Sequence, residues 1–229
     1  MKESISIIIP ALNEEGIIGA TLDALASICP GCQVIVADGG SIDKTGALAH
    51  EMGAYVVSSP PGRGTQMNTG AEAATGDVLM FLHADCIPPE GFSSMALEAL
   101  IRPGVAAGAF DISIRQRGLG FRLIEGMANL RSRITRVPYG DQMIFMRKST
   151  FMEVGGFSEI PLMEDMEIAR RLKRMGRMEF LSHPVSISPR RWLREGMLRT
   201  TLRNWWLALA YTVFGVSPER LARHYRNVR

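Results

Sequence analysis

The sequence predicts an α/β protein with a mostly parallel central sheet, helices on both of its faces, and amphipathic helices at the C-terminus. Three observations carry that expectation. Short apolar runs and stretches of helical period alternate from the first residues onward. The runs are continuously apolar, as strands buried on both faces are. Each of the first four is followed at once by polar residues, which puts them at the carboxyl edge where open parallel sheets bind ligands.

Taken in order, residues 4–9 (SISIII) form a first β-branched strand, after which come Pro10, Asn13 and Glu14. Residues 13–28 have helical spacing, with Ile17, Leu22, Leu25 and Ile28 on the apolar stripe and acids in the first turn. Further strands are expected at 32–37, 54–59 and 76–82, separated by helical stretches at 43–52, 64–75 and 89–101. ADGGSIDKT, with Asp38 and Asp43, follows the second strand; PPGRGTQMNTG, with Arg63, follows the third; His83 and Asp85 follow the fourth. The second half is less regular. Residues 105–115 read as a strand, 119–135 as a basic amphipathic helix, and 139–157 as turn, strand, short helix and Gly-Gly turn. Residues 162–176 form a helix with acids first and bases last, matching its macrodipole. A last helical stretch covers 190–214, and another helix starts at Ser217-Pro218. With no linker in evidence, the expected organisation is one domain over 1–192 and a basic helical extension over 193–229.

At 229 residues and 46% apolar composition the chain can bury a substantial core, which excludes wholesale disorder. Its first residues carry no apolar h-region and no small-residue cleavage site, so no signal peptide is expected. Three cysteines, an odd number, argue against a disulfide framework and for a reducing compartment. Cys29 and Cys32 in CPGC have a redox-like spacing, but the motif ends a helix instead of opening one and is read as a structural turn. The net charge of +3 hides an asymmetry: residues 190–229 carry about +7 and the remainder about −4. Such a tail faces something anionic, or is simply a solvated helix. It has no recognisable nucleic-acid reading motif, so nucleic acid is not an expected partner.

His83 and Asp85 stand two residues apart at a strand end, where both can reach one divalent ion or its bound water. Mn²⁺ and Mg²⁺ prefer carboxylate oxygen, and Mn²⁺ also accepts imidazole. Alone, such a pair is most often structural; its position gives it weight. Asp38 can accept hydrogen bonds from a nucleobase imide or a ribose hydroxyl, because Ser41 or Asp43 is available to cap the next helix and leaves it spare. Arg63 lies between two glycines that let backbone approach a ligand; no Lys-Ser/Thr follows, so this is not a phosphate-cradling P-loop. Glu164 and Asp165 open a helix, either as dipole partners or with a general base among them, and Asp141 in GDQ adds another acid whose plain alternative is turn chemistry. His50, His183 and His224 are scattered and support no ligand cluster.

SIIIPALNEE, VADGGSIDKT, GRGTQMNTGAEAATGDVLMFLHAD, MEDMEIARRL and RRW, in that order, resemble glycosyltransferase family 2, over residues 4–192. The resemblance implies the inverting GT-A fold with a Rossmann-like nucleotide-binding half, a compact bacterial subgroup, and a UDP- or GDP-linked sugar donor. It places Pro10, Ala11 and Glu14 in the nucleotide pocket, Asp38 on the base with Arg63 nearby, and Asp85 at the second acid of the D-x-D motif. It makes Asp165 the catalytic base, with Glu164 and Asp141 next in line, and matches Arg191 and Trp192 to the end of Q-x-x-R-W. Two positions depart from the pattern. His83 replaces the first D-x-D acid, which leaves the ion open and His83 free to bind it, orient its water or contact the sugar. Ser188 replaces the Gln, which favours addition of a single sugar.

The competing classes are a nucleotidyltransferase, disfavoured by the acidic, glycine-poor PALNEE loop, and a non-catalytic nucleotide- or lipid-binding protein, disfavoured by the acids at 164–165. Residues 205–216 are apolar over 12 positions, too short for the roughly 20 a bilayer span needs, and arginines flank them. The 115–136 stretch is similarly arginine-rich. The expectation is a cytoplasmic enzyme, peripheral on the inner face of the membrane, with a lipid-linked or membrane-proximal acceptor. The alternative is that the apolar face packs on the domain or forms a homodimer through the C-terminal helices.

Overall fold

The computed structural model describes residues 3–223 and Tyr225; His224, Arg226 and Arg229, read above, lie outside the described residues. The first half runs β1 (Ile5–Ala11), α1 (Glu15–Ile28), β2 (Gln33–Asp38), α2 (Thr45–Glu51), β3 (Tyr55–Ser58), α3 (Arg63–Ala73), β4 (Val78–Phe81), β5 (Cys86–Ile87) and α4 (Phe92–Leu100). The second half runs β6 (Val105–Ile114), α5 (Leu119–Thr135), a 3₁₀ turn (Gly140–Gln142), β7 (Ile144–Arg147), α6 (Lys148–Val154), α7 (Glu164–Met175) and β8 (Arg177–Ile187). Three helices close it: α8 (Arg190–Glu195), α9 (Met197–Thr212) and α10 (Pro218–Ala222).

The strands form one sheet in the order β3-β2-β1-β4-β7-β6-β8-β5. β1 pairs in parallel with β2 and β4, β2 with β3, and β6 with β8. β7 lies antiparallel between β4 and β6, and the short β5 is antiparallel to β8. The sheet is thus mostly parallel, as expected, with one reversed strand joining its two parallel halves.

Every residue of β1 is buried, which a strand allows only when both faces are covered, because successive side chains alternate sides. Ile7 and Ile9 join a cluster with Ile18, Leu22 and Leu25 of α1 and Phe92 of α4. Ile8 faces the other way, toward Met67 and Ala71 of α3 and Ile168 and Leu172 of α7. Pro10 fits in β1 because its pairing with β4 has already ended at Ile8.

The structure departs from the sequence reading in three places. β8 interrupts its pattern with Ser182, His183 and Pro184, so periodicity does not reveal it; its register on β6 slips between Phe110 and Asp111, and a bulge of this kind tolerates proline. The helical stretch 190–214 breaks at Gly196, whose φ of 88° ends α8 and starts α9. Cys29 and Cys32 form a disulfide, against the expectation of a plain turn. The turn that closes α1 bonds Cys32 N–H to Cys29 O and brings the two Cα atoms to 5.5 Å, within bridging range. Of the two readings of the C-terminal stretch, the structure shows packing on the domain for one side of it. Leu207, Ala208 and Ala210 of α9 and Leu221 of α10 bury themselves with Leu162, Met163, Met166 and Ala169 of α7 and the loop before it.

Candidate active site

A cavity of about 280 Å³ opens beyond the carboxyl ends of β1 and β4, facing the 3₁₀ turn, the start of α7, and α8 with α9. Of the residues singled out in sequence, Pro10, Ala11, Glu14, Arg63, His83 and Asp85 line it from the first half of the chain. Asp141, Glu164, Asp165, Arg191 and Trp192 line it from the second.

Asp38 is not among the lining residues. Its Oδ1 accepts hydrogen bonds from the Ser41 N–H (3.0 Å) and hydroxyl (2.5 Å), closing its own turn. Asp38 is therefore not spare, as the sequence suggested. Asp43 precedes the N-cap of α2, and its Oδ1 accepts the first N–H of the helix, from Thr45, at 3.0 Å.

His83, Asp85 and Cys86 bring ligand atoms within 4.8 Å of one another. His83 is held down to about 4, first by burial and then by the Arg63 guanidinium, so its imidazole is neutral at pH 7 and can donate a lone pair. Burial pushes the Cys86 thiol up, which keeps it protonated and unsuited to ligation. A carboxylate beside a neutral imidazole suits Mn²⁺, and two protein ligands leave positions open for phosphate oxygens. Asp85 is also held by Arg190, whose Nε lies 3.2 Å from Oδ2.

Arg190 is the residue that sequence reasoning missed in favour of its neighbour. It makes a two-pronged pair with Glu14, at 2.6 and 2.9 Å, while reaching Asp85, and so ties the loop after β1 to the loop after β4. Its only signal in sequence was its place in RRW. Arg191 is pushed down to about 10, first by burial and then by Arg63, yet remains charged at pH 7. A half-buried, under-neutralised guanidinium lining the cavity fits an anion. Trp192 is held by its Nε1–H on Thr201 Oγ1 at 3.3 Å. Gln66 also escaped notice: almost fully buried, it donates from Nε2 to Ala11 O (2.7 Å) and Ala37 O (2.8 Å), bracing the ends of β1 and β2.

The acids of the second half meet at the 3₁₀ turn. Asp165 Oδ2 accepts the Gly140 N–H and Oδ1 accepts the Met166 N–H, each at 2.7 Å, so the carboxylate is held at the mouth of α7. A Cβ on Gly140 would lie 2.7 Å from His83 Nε2, so only glycine lets the turn come this close to the imidazole. Asp141 is pushed up to about 6, first by burial and then by the charge of Asp165, and its Oδ1 is buried without a hydrogen-bond partner. Glu164 sits beneath them, 3% exposed, with Arg63 Nε 3.0 Å from Oε1. Burial raises the Glu164 carboxyl, and Glu164 in turn raises Arg63. Arg63 is the first residue of α3.

Residues 6–160 match the model of glycosyl transferase family 2. In sequence the chain is 34% identical to a glucosyl-3-phosphoglycerate synthase of Mycolicibacterium smegmatis over 98 residues, 38% of this chain and 32% of that protein. It is 27% identical to the probable glycosyltransferase YdaM of Bacillus subtilis over 239 residues, 90% of this chain and 54% of that one. The match thus spans about a third of the first relative's length and about half of the second's. The structure is similar to glucosyl-3-phosphoglycerate synthase of Mycobacterium tuberculosis in complex with Mn²⁺, UDP and glucosyl-3-phosphoglycerate (TM-score 0.62, 23% identity, 88% of this chain and 78% of that one). It is also similar to a mannosyltransferase of Pyrobaculum calidifontis in complex with GDP-Man and Mn²⁺ (TM-score 0.65, 20% identity, 82% and 57%). At these identities the structural likeness speaks for the fold. The matched segment holds β1 to β4 and the polar residues at their ends, His83 and Asp85 included, and on that basis the chain belongs to glycosyl transferase family 2.

Proposed function

We propose that the protein transfers one sugar from a UDP- or GDP-linked donor to an acceptor hydroxyl or phosphate, with inversion at the anomeric carbon. One observation carries this reading: the Asp85–His83 pair, the guanidinium groups of Arg63, Arg190 and Arg191, and the carboxylates of Asp141 and Asp165 line a single cavity at the strand ends. Asp85 and His83 would hold Mn²⁺ or Mg²⁺, and the ion, when bound, supplies charge neutralisation to the leaving diphosphate. Arg190 and Arg191 add fixed positive charge for the same oxygens. Pro10, Ala11 and Glu14 form the wall for the nucleoside; Asp38, outside that lining and held by Ser41, would reach the base only by giving up its own turn.

Asp165 is the general base. Its two N–H contacts aim the carboxylate while leaving a lone pair for the acceptor. The acceptor oxygen attacks the anomeric carbon and yields its proton to Asp165 as the bond to the diphosphate breaks on the opposite face. The salt bridge from Arg63 leaves Glu164 less suited to the role, and Asp141 is the remaining alternative. The acceptor is lipid-linked or membrane-proximal, and the enzyme is cytoplasmic and peripheral to the membrane. This rests on the arginine-rich stretches over 115–136 and 190–229.

The test is a thermal-shift series with UDP, GDP and their sugar conjugates, each with Mn²⁺, Mg²⁺ or chelator. The expected result is an ion-dependent rise in Tm with one nucleoside diphosphate, abolished in Asp85→Ala. No ion-dependent rise with any of them would remove the reading.

A further inference from the structure

We propose that α5 and α9 together form a docking face for an anionic phospholipid surface, and that an amphiphilic acceptor enters the cavity between them. The acceptor half rests on the sugar-transfer reading above; the docking face does not.

Each helix carries two apolar faces, which a helix simply packed on a core does not need. The inner side of α5 buries Phe121 and sends Ile124 and Ala128 to the cavity. Its outer side carries Leu119, Leu123, Met127, Leu130 and Ile134, which are 90, 65, 38, 58 and 72% exposed. In α9 the inner side buries Leu207, Ala208 and Ala210 and sends Thr201 and Asn204 to the same cavity. Its outer side carries Leu198, Leu202, Trp206, Leu209 and, just past its end, Val213, which are 77, 60, 53, 49 and 66% exposed. The offsets are the same in both helices, and steps of three and four residues keep each set on one line along its helix. The helices touch where they begin: a Cβ on Gly120 would lie 2.6 Å from Met197 Sδ. Two outward apolar stripes therefore flank one catalytic cavity.

Charge decides what covers them. Arg117, Arg122, Arg133 and Arg136 are exposed at the ends and along the side of α5, and Arg199 is exposed on α9. The acids nearby are engaged: Glu125 is buried on Arg122 and the Ile114 N–H, Asp111 pairs with Arg133, and Glu195 pairs with Arg203, which leaves Arg117, Arg136 and Arg199 without an acidic partner among the described residues. A second copy of the chain on this face would set arginines against arginines, which opposes association. An anionic headgroup layer accepts the arginines and the acyl boundary accepts the leucines. Among the described residues no helix is long and apolar enough to cross a membrane, so the helices would lie in the interface plane. The cavity lining on this side is largely apolar (Ile112, Ile124, Ala128, Trp192, Trp205), suited to the proximal part of a lipid-linked acceptor whose polar end reaches Asp165.

The experiment is flotation of the full chain with phosphatidylcholine vesicles, plain or containing about one-third phosphatidylglycerol, at low and high salt. The expected result is binding to the anionic vesicles alone, weakened about tenfold or more at high salt. Two outward variants, Leu123→Glu with Leu130→Glu on α5 and Leu202→Glu with Leu209→Glu on α9, should each lose at least about tenfold of that binding while keeping the ion-dependent Tm shift with nucleoside diphosphate. Failure of the unaltered protein to float at low salt overturns the proposal, as does undiminished flotation of both variants. Sedimentation showing a dimer that the glutamates split, with no vesicle binding, would assign the face to a second copy and also overturn it. Flotation without any nucleoside diphosphate shift would leave the docking face standing and remove the catalytic reading instead.

Discussion

Two carboxylates at one turn are given different tasks by their surroundings. Asp165 keeps two backbone N–H donors, which fix its direction. If it takes the acceptor's proton, Asp165→Asn should leave ion-dependent donor affinity intact and slow transfer by roughly 10²–10⁴-fold, the usual range for a general base. Donor hydrolysis, with water in the acceptor's place, reads this out without knowledge of the natural acceptor. A loss under about tenfold would move the role to Asp141. Asp141 itself stands at about 6 against an ordinary 3.8. Folding thus favours its protonated form, and the ionised carboxylate weakens the fold above about pH 6. That loss shrinks as pH falls from about 6 and is gone below 3.8, where folded and unfolded chains both hold the proton. Asp141→Asn should therefore raise stability at pH 8 by about 1–3 kcal/mol and change little at pH 4, as measured by urea unfolding at each pH. Neither residue's environment was legible locally: GDQ and MED are ordinary turn and helix-start sequences, and the crowding between them comes from Gly140 lying against His83.

At the level of elements, α3 and α7 each begin at the cavity, and their first residues pair across it. Arginine is a poor first residue for a helix, because the macrodipole already places positive charge there. Glu164, the first residue of α7, offsets this at 3.0 Å. Removing Arg63 leaves Glu164 buried and unpaired, so Arg63→Met should destabilise by about 3–5 kcal/mol at pH 8. Arg63→Met with Glu164→Leu should recover most of that loss. Denaturant midpoints of the two single variants and the double variant supply the coupling energy; an additive result would show the pair to be incidental. The helices themselves were readable, since α1, α5 and α7 fall within two residues of their expected bounds. β8 was not, because its bulge and proline erase the alternation by which strands are recognised.

For the whole molecule, the C-terminal helices belong to the catalytic body as much as to its surface. Leu207, Ala208, Ala210 and Leu221 cover the apolar side of α7 and the loop that presents Asp165. Deleting residues 204–229 should lower Tm and weaken the ion-dependent nucleoside diphosphate shift together, because the cluster behind Asp165 is uncovered; a truncated protein with both unchanged would show the tail to be a true appendage. The sequence by itself determined the α/β class, the strand-end positions of His83, Asp85 and Asp38, and the basic character of the tail. These depend on local period and composition, which a chain carries wherever it folds. Only the tertiary structure decided that Arg190 bridges Glu14 and Asp85, that Glu164 is buried under Arg63, and that one tail face packs inward while the other stays exposed. Arg190 and Glu14 are 176 residues apart. Their meeting is set by sheet order and by the burial of charge, and neither leaves a mark on the residues next to them in sequence.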